Sequence, residues 1–252
     1  MRQTTEDLKY PGGLTRLFVK ARLSQGAQLD LEDEQSHQVV QVLRAKPGRR
    51  VRLFNGLDGE WSSLIVGISK KTVTLVLEAQ TRQQVGVPDL WLIVAPVKKT
   101  PFDFIIQKAT ELGVARIQPV YTRRTIVDRV NLERIQSNTI EAAEQCERLC
   151  IPQIAEPERL EPLLASWDDK RCLAFCDEAG NAQPAAQVFL KTHSSEWAVL
   201  TGPEGGFDPV ERELIRALPF TRPITLGPRI MRADTAAISA LAVWQSTCGD
   251  WS

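Results

Sequence analysis

The chain has 252 residues, of which 43% are hydrophobic and 25% are charged, a composition typical of a soluble globular protein with a substantial core. No apolar run approaches the roughly 20 residues that span a bilayer, and the polar N-terminus lacks the apolar region of a secretory signal. The formal net charge is zero, and the five cysteines show no metal-ligand spacing. We therefore expect no membrane partner, no metal site, and free thiols in a reducing, cytoplasmic location.

The first part of the chain is predicted to be rich in β-strands. Strand candidates are the segments TRLFV, RVRLF, WSSLIVGI and TVTLVLEA, and NGLDG is a hairpin signal. The segment EDEQSHQVVQVLR has the apolar spacing of one short helix. This pattern predicts a small β-barrel or sheet domain over residues 1–82, followed by a linker in the polar stretch TRQQVGVPD.

From Leu90 the pattern changes to strands that alternate with helices. The continuous apolar run WLIVAPV predicts a buried strand of a parallel sheet. Further strands are predicted at ARIQPVYT, CLAFC, WAVLTG and RPITLG. Helices are predicted at PFDFIIQKATELG, NLERIQSNTIEAAEQCERL, QPAAQVFLKTH, DPVERELIRAL and TAAISALAVWQSTC. Asp208 and Pro209 are expected to be the N-cap and first residue of their helix. Residues 83–252 are therefore predicted to be an α/β domain with a mostly parallel sheet.

Three loops follow strands of this predicted sheet: CDEAGN, TGPEGGF and LGPRIMRADT. In open α/β sheets, ligands bind outside the carboxyl ends of the strands. Glycine lets a ligand approach the backbone, although tight turns also use Gly and Pro for geometry alone. The chain has neither the P-loop motif nor the GxGxxG dinucleotide motif. His37 and His193 lack the pattern of a catalytic triad or metal site, so we expect them to be surface or packing residues.

Basic residues cluster locally in spite of the neutral net charge. Such clusters are ordinarily solvated surface, but they can also bind RNA phosphates. The clusters are Arg44, Lys46, Arg49, Arg50 and Arg52; Lys98 and Lys99; and Arg123, Arg124 and Arg129.

The motifs TGPEGG and LGPRIMRADTA, in this order, resemble those of the small-subunit ribosomal RNA uridine-N3 methyltransferase (RsmE) family, within the SPOUT class of knotted methyltransferases. The segments HQVVQVLR, FNG, QKATELGV and EAAEQCER extend the resemblance over nearly the whole chain. Two positions depart from the family pattern. Met231 replaces a usual Leu, which conserves volume. Asp234 replaces a usual Glu and shortens a carboxylate, and it could equally be the N-cap of the last helix.

The resemblance implies an N-terminal PUA-like β-barrel that binds RNA and a SPOUT-type α/β domain with a C-terminal trefoil knot. It also implies S-adenosylmethionine as cofactor, methylation of N3 of a uridine in the ribosomal RNA of the small ribosomal subunit, and a homodimer. Two alternatives stay open: a non-catalytic RNA-binding or ribosome-assembly protein with this fold, and a SPOUT methyltransferase with another RNA target.

The site residues follow from the same resemblance together with the chemistry of the side chains. Cofactor-binding residues are predicted to be Thr201, Gly202, Pro203, Gly205, Leu226, Gly227, Ile230, Met231 and Ala236, with residues 179–181 lining the same pocket. Catalytic residues are predicted to be Arg229, Arg232 and Glu204, because guanidinium groups hold developing negative charge and a carboxylate positions an arginine or acts as a base. Alternatively, these arginines only pair with carboxylates such as Glu204. RNA-binding residues are predicted to be Arg16, Arg44, Arg49, Arg50, Lys108, Arg123, Arg124 and Arg148.

Overall fold

The computed structural model describes residues 15–69, 72–178 and 181–251. These residues form two compact units. The first unit contains the described residues up to Gly86 together with Ala143–Cys150. The second unit runs from Val87 to Ala142 and continues from Ile151. The boundary predicted between residues 82 and 83 lies close to the end of the first unit at Gly86.

The first unit is built on a five-stranded sheet. Its strands are β1 (Arg16–Phe18), β2 (Gln28–Asp30), β3 (Arg50–Phe54), β4 (Glu60–Ile68) and β5 (Val73–Arg82). Their order is β1-β3-β4-β5-β2, in which β1 and β3 are parallel and the other pairs are antiparallel. The predicted helix is α1 (Asp33–His37), which continues as a π-helical segment, Gln38–Val42. Alternate residues of β5, Val73, Leu75 and Leu77, point into the core, as the two-residue period of a strand requires.

The second unit alternates strands with helices. Its strands are β6 (Leu90–Val94), β7 (Arg116–Tyr121), β8 (Gln153–Ile154), β9 (Glu158–Arg159), β10 (Cys172–Cys176), β11 (Gln183–Pro184), β12 (Trp197–Thr201) and β13 (Thr221–Thr225). Its helices are α2 (Lys99–Glu111), α3 (Leu132–Gln145, which ends in the first unit), α4 (Leu160–Ala165), α5 (Ala185–Lys191), α6 (Pro209–Ala217) and α7 (Ala233–Cys248). The predicted α/β architecture is confirmed.

The sheet of the second unit has the order β11-β13-β10-β12-β6-β7-β8, and β9 pairs with β7. All of these described pairs are parallel. The central strand β12 is buried along its whole length, because helices cover both faces of a parallel sheet. This burial explains the continuous apolar runs of the central strands.

The starts of the last two long helices differ in how they are capped. Asp208 caps α6 as predicted: its carboxylate accepts the Val210 N–H at 3.0 Å, and Pro209 is the first helical residue. Asp234 does not cap α7, because the helix begins after Arg232. Asp234 lies in the first turn, where its carboxylate accepts the Thr235 N–H at 2.7 Å. The alternative role of Asp234 as N-cap is therefore wrong.

Three further features bear on the expected class of protein. None of the helices in the described residues is long and apolar enough to cross a membrane. Across the same described ranges, no group of three or more His, Cys, Asp or Glu side chains is arranged to hold a metal ion. The five cysteines are all free thiols.

Candidate active site

A cavity of about 530 Å³ opens at the carboxyl ends of three neighbouring strands of the second unit. Its wall contains residues 176–178 at the end of β10, 201–204 at the end of β12, and 224–234 at the end of β13. This is where the sheet topology of an α/β protein places a ligand. The volume lies within the usual range for small-molecule sites, about 300–1,000 Å³.

The cavity brings together most of the predicted cofactor-binding residues. These are Thr201, Gly202, Pro203, Leu226, Gly227, Ile230, Met231 and Ala236. Gly205 is not part of the lining, and Ile230 stands at the mouth with 86% of its surface exposed. Ala179 and Gly180 lie outside the described residues, and Asn181 does not line the cavity. The three predicted catalytic residues, Arg229, Arg232 and Glu204, also lie on the cavity wall.

The three glycines of the GPEGG segment have different neighbours. A Cβ on Gly202 would come within 2.7 Å of the Phe207 ring. Gly206 has a φ of +65°, and a Cβ there would overlap the Glu178 carboxylate. A Cβ on Gly205 would make only ordinary contacts, at 3.9 Å from Arg124. Gly202 and Gly206 are therefore required by packing inside the protein, which differs from the expectation that these glycines leave room for a ligand.

Thr201 lines the cavity and carries a buried hydroxyl without a hydrogen-bond partner in the described structure. The residue is only 1% exposed, and its hydroxyl has no hydrogen-bond partner among the described residues. A buried hydroxyl without a partner is costly, so such groups in native structures call for an explanation. Because Thr201 lines the cavity, its hydroxyl is a candidate to pair with a bound ligand.

The predicted catalytic arginines are available to a ligand. Arg229 and Arg232 are exposed, and neither forms a salt bridge within the described part of the chain. Glu204 is exposed as well, and its Oε1 accepts the backbone N–H of Lys98 at 3.4 Å. The alternative in which Glu204 pairs with these arginines is therefore not observed.

The loop after β10 supplies wall residues whose roles the sequence did not indicate. Asp177 is buried, and its carboxylate accepts Arg212 Nε at 2.7 Å and also pairs with Arg216, which ties β10 to α6. This hydrogen bond raises the pKa of Arg212. Burial, together with the negative charge of Glu178, raises the pKa of the Cys176 thiol to about 12. The CDEAGN loop was expected near a ligand, but its individual side chains had no distinguishing pattern.

Arg16 is a buried structural residue. Its Nε donates to Glu60 at 2.6 Å, and its Nη atoms donate to the carbonyl oxygens of Ala143 at 2.8 Å and Arg148 at 3.1 Å. These bonds attach Ala143–Cys150 to the sheet of the first unit. Burial of Glu60 would raise its pKa, but the hydrogen bonds from Arg16 and Thr81 outweigh it and the pKa is lowered. The burial of Arg16 does not fit the predicted contact with RNA.

The remaining predicted RNA-binding residues differ in how far their charge is already paired. Arg50 is exposed but donates two hydrogen bonds to Glu78, at 2.7 and 2.9 Å. Lys108 pairs with Glu111 at 2.6 Å, Arg123 pairs with Glu161 at 2.7 Å, and Arg148 is partly buried. Three exposed residues form no salt bridge in the described ranges: Arg44, Arg49 and Arg124. No carboxylate of the described residues compensates the charge of these three side chains.

Comparison with known proteins identifies the family. The family described as "RNA methyltransferase domain" matches residues 86–245, and the "RNA methyltransferase PUA domain" matches residues 31–78. Ribosomal RNA small subunit methyltransferase E of Rickettsia conorii is 34% identical over 229 residues, which are 90% of this chain and 93% of the relative. The protein of that name from Synechocystis is 32% identical over 231 residues, covering 90% of this chain and 76% of the relative.

A solved structure agrees with these sequence matches. The crystal structure of ribosomal RNA small subunit methyltransferase E from Neisseria gonorrhoeae, bound to S-adenosyl methionine, superposes with a TM-score of 0.86 at 26% identity. The match covers 95% of this chain and all of the other. The predicted fold is confirmed, while the trefoil knot stays a prediction. The chain belongs to the ribosomal RNA small subunit methyltransferase E family.

Proposed function

We propose that this chain transfers the methyl group of S-adenosylmethionine to N3 of a uridine in small-subunit ribosomal RNA. The observation that carries the proposal is the cavity at the strand ends, which has an unpartnered buried hydroxyl in its wall and two unpaired arginines at its edge. The relative from Neisseria gonorrhoeae, whose fold this chain shares, was solved with that cofactor bound.

The residues of the cavity suit S-adenosylmethionine. The hydroxyl of Thr201 can pair with a polar group of the cofactor, and Val97, Ile224 and Leu226 provide apolar surface for its adenine. The cofactor, when bound, supplies an electrophilic methyl group carried on a sulfonium. The backbone N–H and C=O groups of 226–231 stand in the same wall and suit the polar edges of the cofactor.

Arg229 and Arg232 act on the uridine and its RNA. N3–H of uridine is weakly acidic, so negative charge develops on the base as its proton passes to solvent water, and the N3 lone pair then accepts the methyl group. One guanidinium orients O2 or O4 of the uridine and holds this charge, and the other holds an RNA phosphate. Glu204 positions the loop after β12 rather than acting as the base, since its carboxylate accepts the backbone N–H of Lys98. A pH–rate profile of Glu204→Gln tests this assignment: loss of an ionisation limb would make Glu204 the general base.

The proposal predicts that Arg232→Ala abolishes methyl transfer and leaves cofactor affinity nearly unchanged. Methyl transfer is measured by mass spectrometry of nucleosides from in vitro transcribed small-subunit ribosomal RNA, and cofactor affinity by isothermal titration. Arg222→Ala is the control, because Arg222 lies in β13 away from the cavity wall and bonds the Pro219 carbonyl. Normal turnover in Arg232→Ala would refute the assigned role.

Two features support contact with ribosomal RNA in the first unit: the match to the PUA domain family, and the exposed Arg44 and Arg49, which form no salt bridge in the described ranges. The homodimer stays a prediction of the family resemblance. The cytoplasmic location stays a prediction from the cysteine pattern, and the free cysteines are consistent with a reducing compartment. Absence of methylated uridine with wild-type protein, despite normal RNA binding, would instead favour a non-catalytic assembly factor. Methylation at another position would favour a different RNA target.

A further inference from the structure

The loop after β7 carries two neighbouring arginines with different surroundings. The Arg123 guanidinium lies 2.7 Å from Glu161 and 3.5 Å from Asp208. The Arg124 guanidinium donates one hydrogen bond, to the Gly205 carbonyl at 3.0 Å, and forms no salt bridge within the described residues. The charge of Arg123 is therefore compensated inside the protein, while Arg124 keeps its charge and several donors for a ligand.

A buried carboxylate holds the backbone of this loop. Glu211 lies in the first turn of α6, is only 1% exposed, and accepts the Arg123 N–H at 3.2 Å. Burial raises the pKa of Glu211, and the N–H groups of Arg123 and Asp208 offset this only in part. A carboxylate taken out of water at such a cost, yet aimed at the backbone of a neighbouring loop, indicates a constraint on that loop.

Glu211 is also close in sequence to residues of the cavity wall. Helix α6 directly follows the GPEGG segment, whose first residues line the cavity. The loop after β7 is thus tied to this segment twice, by Glu211 to the Arg123 backbone and by Arg124 to the Gly205 carbonyl. The two ties fix where the free donors of Arg124 lie relative to the cavity.

We propose that Glu211 is a positioning residue that holds the loop of Arg123 and Arg124 so that Arg124 binds an RNA phosphate beside the cavity. The inference rests on the proposed function, because it takes RNA as the substrate. Arginine recognises phosphate through paired, directional hydrogen bonds, so its affinity depends on the position of the guanidinium. Loss of the Glu211 acceptor leaves the charge of Arg124 in place but removes its fixed geometry.

A purely local role of Glu211 makes a different prediction. Glu211 stands three residues after the N-cap Asp208, the spacing of a helix capping box. A residue that only caps α6 would change stability without any energetic coupling to Arg124. A double-mutant cycle between Glu211 and Arg124 therefore separates the two roles.

The cycle uses Glu211→Met, which fills a similar volume but removes both the buried charge and the acceptor of the Arg123 N–H. The measured quantity is the dissociation constant for in vitro transcribed small-subunit ribosomal RNA. Glu211→Met and Arg124→Ala are each expected to weaken RNA binding about tenfold, which is the effect of one charge-assisted hydrogen bond. The double variant is also expected to weaken binding only about tenfold. Glu211→Gln retains an acceptor oxygen and is expected to bind within about threefold of wild type.

Three controls accompany the cycle. Glu213→Gln changes an exposed carboxylate of the same helix and should leave RNA binding unchanged. Thermal unfolding checks that each variant folds, and Glu211→Ala replaces Glu211→Met if the latter does not fold. Cofactor affinity, measured by titration with S-adenosylmethionine, should equal that of wild type in all variants.

The outcomes distinguish this inference from the proposed function. Independent losses that multiply to about a hundredfold in the double variant would overturn the positioning role. The same holds if Glu211→Met binds RNA as wild type does. A wild-type protein that binds RNA but transfers no methyl group would contradict the proposed function and leave the cycle valid. A wild-type protein that binds no RNA would contradict both.

Discussion

Replacement of Thr201 by Val should have opposite effects on the free protein and on cofactor binding. The Thr201 hydroxyl is buried without a partner in the described structure, so Val removes an unsatisfied group and keeps the branched shape that suits strand β12. The free protein should therefore become more stable. Because we assign the missing partner to S-adenosylmethionine, the same substitution should weaken its binding.

The magnitudes follow from the energetics of one buried hydroxyl. An unsatisfied buried polar group costs about 1–3 kcal/mol, so Thr201→Val should stabilise the free protein by about 1 kcal/mol, after allowance for relaxation. For a domain of this size, that raises Tm by about 2–4 °C. A hydrogen bond with a net value of about 0.5–1.5 kcal/mol corresponds to a dissociation constant raised about 2- to 13-fold. Thermal unfolding without cofactor and isothermal titration with it measure the two effects.

Thr221→Val is a matched control within the same sheet. The Thr221 hydroxyl is also buried and without a partner in the described ranges, but it does not line the cavity. Its replacement should give a similar gain in stability with no change in cofactor affinity. Thr201→Val with wild-type affinity for the cofactor would refute the reasoning, since the hydroxyl would then make no contact with the ligand.

Two further predictions concern stability. Gly206→Ala should lower Tm by about 2–8 °C, because a positive φ costs a non-glycine residue about 1–2 kcal/mol and the added Cβ also has no room. Gly205→Ala should leave Tm unchanged in the same thermal scan. An equal loss in both variants would contradict the packing argument. Glu60→Gln should lower the free energy of unfolding at pH 7 by about 3–5 kcal/mol, the cost of breaking a buried ion pair. Since the pKa of Glu60 is lowered in the fold, its stabilising contribution is present above the unfolded pKa of about 4.3 and is lost as the pH falls through the folded pKa. Denaturant unfolding between pH 7 and 3 should therefore show a smaller decrease in the free energy of unfolding for Glu60→Gln than for wild type. Glu78→Gln removes the partner of Arg50 in a pair that is partly open to solvent, so it should change the free energy of unfolding at pH 7 little. A large change there would argue against burial as the cause of the Glu60 effect.

The elements predicted best from the sequence are those set by local pattern. Continuous apolar runs mark β6 and β12 because a parallel strand is covered on both faces. The start of α6 is readable because Asp208 and Pro209 cap it within a few residues. The short strand β2 and the short helix α4, which contains Pro162, have too few residues for a periodic pattern. Their formation depends on partners distant in sequence.

In the candidate site, too, local patterns were predictable and long-range contacts were not. Its position was predictable, because strand ends followed by Gly- and Pro-rich loops indicate a ligand site in an α/β sheet. Individual roles were not, because they depend on contacts between distant residues. Arg16 looked like a surface cation, yet its acceptors are Glu60 and carbonyl groups more than a hundred residues away. Glu211 had no separate signal, since its contact is the backbone of a loop from another part of the chain.

The protonation state of the Cys176 thiol affects whether the cavity wall reacts with a bound methyl donor. A cavity that holds an electrophilic methyl donor exposes its own wall to alkylation, and a cysteine thiolate is the strongest nucleophile a protein offers. Cys176 lines that wall, and its pKa of about 12 keeps the sulfur protonated at physiological pH. Burial and the adjacent carboxylate of Glu178 therefore keep this sulfur in the less nucleophilic thiol form, which disfavours its alkylation by a methyl donor in the cavity.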